Sequence, residues 1–392
     1  MNSLTTTQES ISLSSEEYVN LALRFSKAYG LACAAWRMPG SNEMHLILDF
    51  QGARKMDEFI LEEVPTGFLL APFDNSQGTL HINSDIHINL TTKEVNSFSS
   101  AALDKFNAYA QQETKKRNPQ RSTAIRLTQP ILSEPFIEMV NNAIEEIRLG
   151  SFQKVVPSRF KNVRLNPNFD HGHFFSTLCE SYPNAFVSLV CTPVSGLWIG
   201  ASPELLLELK ANLFKTVSLA GTQKYEGQSL TDVAWTQKEI EEQALVSRYI
   251  INGFKKIRLR EFDENGPRTV KAGNLIHLKT EFIVDMASTN FYDLGSVMLN
   301  LLHPTSAICG MPLEPSLKFI QQHENYPREY FSGYLGPVDF DHKTSLFVNL
   351  RCMKIENHMA TLYAGAGITA DSNPEKEWQE TEMKMNTLLN LI

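Results

Sequence analysis

The stretch from residue 185 to residue 217 constrains the fold most. Apolar runs at 185–190, 196–200, 205–209 and 213–217 follow one another with only short turns between them, such as Pro193-Val194-Ser195-Gly196 and Ala211-Asn212. A parallel pair of strands needs a crossover of a dozen or more residues, and none of these gaps can hold one, so the runs pair antiparallel. Residues 346–355 and 359–364 repeat the pattern as a hairpin around Glu356-Asn357-His358, and 44–50 and 80–90 alternate as further strands. Helical spacing covers 14–27. It resumes after Ser133-Glu134-Pro135, with Phe136, Val140, Ile144 and Ile147 on one face and Gly150 as the stop. The fold class is therefore α+β, with antiparallel sheets layered against flanking helices. The polar, basic stretch 111–129 contains Pro119 and marks a boundary, giving an N-terminal α+β region over 1–130 that packs onto a core over 131–392.

Composition narrows the partners. The chain has 392 residues, 42% of them apolar and 20% charged, an ordinary globular balance. Its net charge of -8, with no basic cluster interleaved with aromatics, argues against a nucleic-acid surface. Cys33, Cys179, Cys191, Cys309 and Cys352 are dispersed, odd in number and without CxxC spacing, as expected of reduced thiols in a cytoplasmic protein. The polar, acidic start lacks the features of a secretion signal, and no apolar run approaches the roughly 20 residues that span a bilayer. A monomer with neither a membrane nor a nucleic-acid partner is expected.

The last fifty residues carry the densest chemistry. Arg351 ends the alternating run Leu346-Phe347-Val348-Asn349-Leu350, which reads as a strand presenting a guanidinium to a carboxylate. Gly365 and Gly367 in Ala364-Gly365-Ala366-Gly367-Ile368 allow backbone N–H groups to approach an anion, and Lys384 can reach the same place. Glu377 and Glu380 are three apart and share a helix face, as do Glu239 and Glu242 in Lys238-Glu239-Ile240-Glu241-Glu242-Gln243. Two acidic helix faces without histidine or cysteine suit a hard, octahedral cation that keeps water and shares a substrate oxygen, which points to Mg2+.

Further segments carry a resemblance. They are Phe152-Gln153-Lys154-Val155-Val156-Pro157-Ser158-Arg159, Gly200-Ala201-Ser202-Pro203-Glu204-Leu205-Leu206, Leu219-Ala220-Gly221-Thr222 and His303-Pro304-Thr305-Ser306-Ala307-Ile308-Cys309-Gly310. With the acidic helices and the glycine turn they run in order from 152 to 384, and the chain resembles the chorismate-utilising enzymes, in particular the isochorismate synthases. The resemblance implies one two-layered unit with its site in a cleft between sheets. It also implies a reaction in which water adds to chorismate at C2 while hydroxide leaves C4, a chemistry that needs a base and an acid.

By this resemblance Lys154 is the base and Glu204 the acid. A lysine, with a reference pKa of about 10.4, must be kept partly neutral by burial or nearby cations to serve as a base, and a carboxyl among apolar neighbours is raised into the range of a general acid. The resemblance places Gly221, Thr222, His277, Ala307, Arg351, Gly365, Gly367 and Lys384 around the substrate, and Glu242 and Glu380 on the metal with Glu239 and Glu377 outside them. His277, in Asn274-Leu275-Ile276-His277-Leu278, reads equally well as a satisfied core histidine, and His303 as a turn-stabilising side chain.

Two positions speak to the branch. Anthranilate synthases resemble this chain at the first segment but carry glutamine where Lys154 stands, and an amide cannot deprotonate water. Lyase-type members tend to carry threonine at the position of Ala307, whereas Ala307-Ile308 is similar to the branch that retains the enolpyruvyl group. Salicylate synthase, aminodeoxychorismate or anthranilate synthase components and an inactive chorismate-binding paralogue are the alternatives. Supply of menaquinone or of a catechol siderophore is open at this point.

Overall fold

In the computed structural model the described residues are 13–97, 99–115, 133–272 and 275–392. Two antiparallel sheets stack face to face. In spatial order the first comprises Val95–Ser97, Ile86–Asn89, Met44–Asp49, Ala32–Arg37, Phe186–Thr192, Gly196–Ser202, Cys352–Glu356, Met359–Gly365 and Ser158–Arg164. The second comprises Asp263–Ala272, Leu275–Asp285, Leu213–Lys224, Leu205–Lys210, Lys343–Val348, Tyr334–Val338, Gly67–Ala71, Thr79–Asn83 and Arg54–Met56. A two-stranded pair, Lys154–Val155 with Gly310–Met311, lies beside them.

The middle strands are apolar throughout because both faces are covered. In Ala32–Arg37, Ala32, Ala34 and Trp36 point into the layer between the sheets, while Cys33 and Ala35 point out to a helix layer. Phe186 and Phe347 stack across the gap with ring centroids 4.2 Å apart. Helices Ser15–Tyr29 and His171–Ser181 cover the outside of the first sheet. Glu134–Arg148, Gln237–Lys256, Leu294–Leu302 and Leu313–His323 cover the second. The α+β arrangement expected from the turn spacing is the one observed.

Two expected strands prove to be crossings between sheets. The alternation over 80–90 breaks at Ser84-Asp85, where the chain leaves Thr79–Asn83 in the second sheet and enters Ile86–Asn89 in the first. Asp85 caps this corner by accepting from the Phe50 N–H and the Asn83 side chain, the turn chemistry of an Asn-Ser-Asp sequence. The run 346–355 breaks likewise after Val348 and resumes in the other sheet at Cys352. The boundary expected near 130 divides the chain but not the sheets, since strands that precede it complete both. Its centre, residues 116–129, lies outside the described residues, as does the start of the chain. Among the described residues no helix is long and apolar enough to cross a membrane, and all five cysteines are free and buried.

Candidate active site

Two crossings from sheet to sheet run side by side and build the cleft. One joins Gly196–Ser202 to Leu205–Lys210 and carries Glu204; the other joins Lys343–Val348 to Cys352–Glu356 and carries Arg351. They are tied together by Val348 N–H to the Glu204 carbonyl (3.0 Å), by Ala201 N–H to the Arg351 carbonyl (3.0 Å), and by the Ser202 hydroxyl to the Val348 carbonyl. Arg351 is thus not on a strand, as its sequence alternation suggests. It sits at φ 47°, in the left-handed region that non-glycine residues seldom adopt and that recurs at functional sites.

The cleft measures about 750 Å3 including its mouth. It is lined by Lys154, Glu204, Gly221, Thr222, Glu242, His277, Ala307, Arg351, Gly365, Gly367, Glu380 and Lys384, so most of the residues singled out from sequence meet in one place. Gly221 and Thr222 enter it through a bulge in the strand Leu213–Lys224, where the register slips between Ala220 and Gln223 and Gly221 takes φ 68°. His277 lies opposite the bulge, and its Nδ1–H donates to the Gly221 carbonyl (2.9 Å). Burial, then the nearby Arg351 charge, push its pKa down to about 3, so the ring is neutral and its Nε2 is an acceptor.

Lys154 is 1% exposed, and its ammonium lies 2.9 Å from the Glu242 carboxylate. Burial pulls Glu242 upward, but Lys154 wins and holds it below the usual carboxylate range. Gly367 makes this pair possible: a Cβ there would stand 2.6 Å from Glu242 Oε1 and 3.1 Å from Lys154 Cε. The glycine turn serves the protein in another way too, because the N–H groups of Ala366 and Ile368 donate to the Pro157 and Val155 carbonyls. Lys384 pairs with Glu380 (2.7 Å) and donates to the Gly365 carbonyl (2.8 Å).

Glu377 and Glu239 lie outside the cleft lining. Glu377 is buried and accepts from Lys238 (2.6 Å). Its pKa is raised by burial and then by Glu380, and Lys238 feels Glu377, Glu380 and Glu242 together. Glu239 departs from the outer-shell expectation, since its carboxylate caps the helix Gln237–Lys256 by accepting from the Thr236 N–H (2.8 Å) and also binds Gln223 (2.8 Å). Thr236 and Glu239 spell the capping-box signature, a signal that was present in the sequence. Sequence reading also passed over Ser158, Arg328, Phe331 and Tyr363, all in the cleft wall. His303 donates its Nε2–H to the Pro72 carbonyl (3.1 Å), away from the cleft lining.

Arg351 differs from the other cations. Its pKa is lowered to about 10 by burial, with Glu380 and Glu204 pulling it back, yet no described residue forms a hydrogen bond or ion pair with its guanidinium. Glu204 is raised to about 7, by burial first and against the pull of Lys154, Arg351 and Lys384. The neutral form is therefore bound by the folded state between about 4.5 and 7, and the Glu204 contribution to stability falls as pH rises through that window. Urea denaturation between pH 5 and 8 should show a decline that Glu204→Gln flattens; equal slopes would contradict the burial argument.

Stacked antiparallel sheets that exchange strands over a cleft, with a free guanidinium beside a protonable carboxyl, define an α+β protein built to receive a small organic anion. The chain belongs to the chorismate binding enzyme family, which matches residues 67–392. It is 29% identical over 263 residues to isochorismate synthase EntC of Escherichia coli (strain K12), the match covering 66% of this chain and 66% of EntC, just under two thirds of that relative. It is 30% identical over 279 residues to isochorismate synthase DhbC of Bacillus subtilis (strain 168), covering 66% of this chain and 68% of DhbC. The solved structure of MenF, the menaquinone-specific isochorismate synthase from Escherichia coli, superposes with a TM-score of 0.76 at 20% identity, over 99% of this chain and 94% of that one, and so shares the fold.

Proposed function

We propose that the protein converts chorismate to isochorismate with the help of Mg2+. The observation that carries the reading is the half-buried Arg351 guanidinium, unpaired among the described residues, in the same cleft as Lys154 and Glu204. A cation without a protein acid is a carboxylate receptor, and bidentate capture by a planar fork would orient the substrate ring. Lys154 would act as its neutral amine, its Nζ lone pair taking a proton from the water as the water oxygen bonds to C2. Glu204, neutral up to about pH 7, would donate its proton to the departing hydroxyl. The neutral His277 Nε2 would accept from a substrate hydroxyl.

The donor set fits a hard divalent cation. Glu242 and Glu380 line the cleft, Glu377 stands behind them, and all three act on the one ammonium of Lys238. Oxygen donors alone, without histidine or cysteine, suit Mg2+. Among the described residues no three acids, histidines or cysteines are already gathered as a closed ligand set, so water and substrate oxygens would fill the remaining positions. Bound there, the ion would neutralise a substrate carboxylate. Glu380→Gln should weaken Mg2+ binding by at least about tenfold in calorimetry, since one charged ligand is lost. Unchanged affinity would remove Glu380 from the ligand set.

The direct test incubates purified protein with chorismate, with and without Mg2+, and separates the products while pyruvate is assayed. Metal-dependent isochorismate without pyruvate is expected. Salicylate with pyruvate, or a product formed only when ammonia is added, would place the chain on another branch, and binding without turnover would make it an inactive paralogue.

A further inference from the structure

Arg328 is in the cleft wall, but its guanidinium is turned mainly into the protein. Nη2 donates to the Val156 carbonyl (2.7 Å), Nη1 to the Ile308 carbonyl (2.9 Å) and Nε to Glu324 Oε2 (2.8 Å). Glu324 in turn accepts at Oε1 from the N–H (2.7 Å) and hydroxyl (2.9 Å) of Ser158. Both charged side chains are almost fully enclosed, at 3% and 2% exposure, and the guanidinium lies 4.4 Å from the centroid of the Phe73 ring.

The two carbonyls belong to opposite halves of the site. Val156 is two residues from Lys154, and Ile308 is next to Ala307. We infer that Arg328, held by Glu324, is a positioning residue that fixes the spacing between the Lys154 segment and the Ala307–Ile308 segment.

Three features support this beyond the contacts themselves. A buried ion pair is weak evidence for stability, because its desolvation offsets its attraction, so a structural explanation alone is thin. A planar fork can satisfy two carbonyls and a carboxylate at once, whereas a lysine ammonium on a flexible stem can hold one of them well. The pair also holds the chain that follows the Lys154–Val155 strand at two points, Val156 through Arg328 and Ser158 through Glu324, which leaves that connection little freedom against the segment carrying Ala307.

The inference rests on the proposed reaction for its kinetic consequence, but its structural part can be read without turnover. In Arg328→Lys, amide hydrogen exchange at Val156 and at Ile308–Gly310 should accelerate at least about tenfold while Ala32–Arg37 stays protected, as expected of local loosening. With chorismate, kcat should fall by about 10²-fold, the cost of misplacing catalytic groups by about an ångström, while KM changes by less than about threefold. Met298→Ala, a cavity in the second sheet's helix layer, serves as the control: it should lower the stability of the protein without the kcat loss. Unchanged exchange in Arg328→Lys, or an equal kcat loss in Met298→Ala, would overturn the inference. Wild-type protein that makes no isochorismate would overturn the proposed reaction instead, and the exchange result would still decide the role of Arg328.

Discussion

Lys154→Ala is expected to lower the turnover of chorismate by roughly 10²–10⁴-fold, the range general-base groups supply. The argument is positional. Lys154 is enclosed, its nitrogen has one carboxylate partner, and the glycine at 367 leaves room for both. Removal leaves Glu242 with Lys384 and Lys238 as its remaining cations, so some loss of stability is expected as well. Lys154→Gln separates the two effects: an amide can still hydrogen bond Glu242 but cannot take a proton from water. Product chromatography beside thermal unfolding is the measurement. Normal turnover in either variant would sink the proposed mechanism, while a loss that merely follows unfolding would reduce Lys154 to a structural partner.

Arg351→Ala should separate function from stability in the opposite sense. Loss of a hydrogen-bonded charge partner for a substrate carboxylate costs about 2–5 kcal/mol, or roughly 30-fold to several-thousand-fold in affinity. The protein without substrate should lose little, because a half-buried guanidinium with no partner among the described residues contributes no ion pair to the fold. Substrate titration and thermal unfolding of the same preparation test both halves. A fall in melting temperature with unchanged affinity would show that Arg351 holds the crossing and not the ligand. Arg351→Lys should recover only part of the affinity, since an ammonium does not match a carboxylate bidentately.

Much of this could be read from the chain, and the failures share a cause. The tight turns between 185 and 217 required antiparallel pairing, and local spacing was enough to see it. Lys154, Glu204, Gly221 and His277 were found by resemblance, Arg351 and Lys384 from their own surroundings as well, and all meet in the cleft although they come from distant segments. Misread were the places where alternation continues while the chain changes sheets, at Ser84-Asp85 and at Asn349-Leu350-Arg351. Alternation comes from one face being more covered than the other, and burial goes on alternating from Ile82 to Leu90 while the chain changes sheets, so periodicity cannot show that corner. Glu239 was assigned by helix-face spacing when the Thr236 cap three residues earlier had the stronger claim on it. Arg328 left only the four-residue spacing to Glu324 as a local signal, because its other partners are backbone carbonyls far along the chain.

The paired crossings also limit how such a protein can diverge. Glu204 and Arg351 ride on neighbouring segments that hydrogen bond to each other and are each anchored in both sheets. Moving one of them relative to the other would require both sheets to slip together, so the distance between the Glu204 carboxyl and the Arg351 guanidinium is in effect a constant of the scaffold. What can drift cheaply is the rim: the bulge at Gly221-Thr222 and the segment at Ala307 enter the cleft without spanning the sheets. New chemistry on this frame should therefore arise by editing the rim of the cleft while the pair at its floor stays in place.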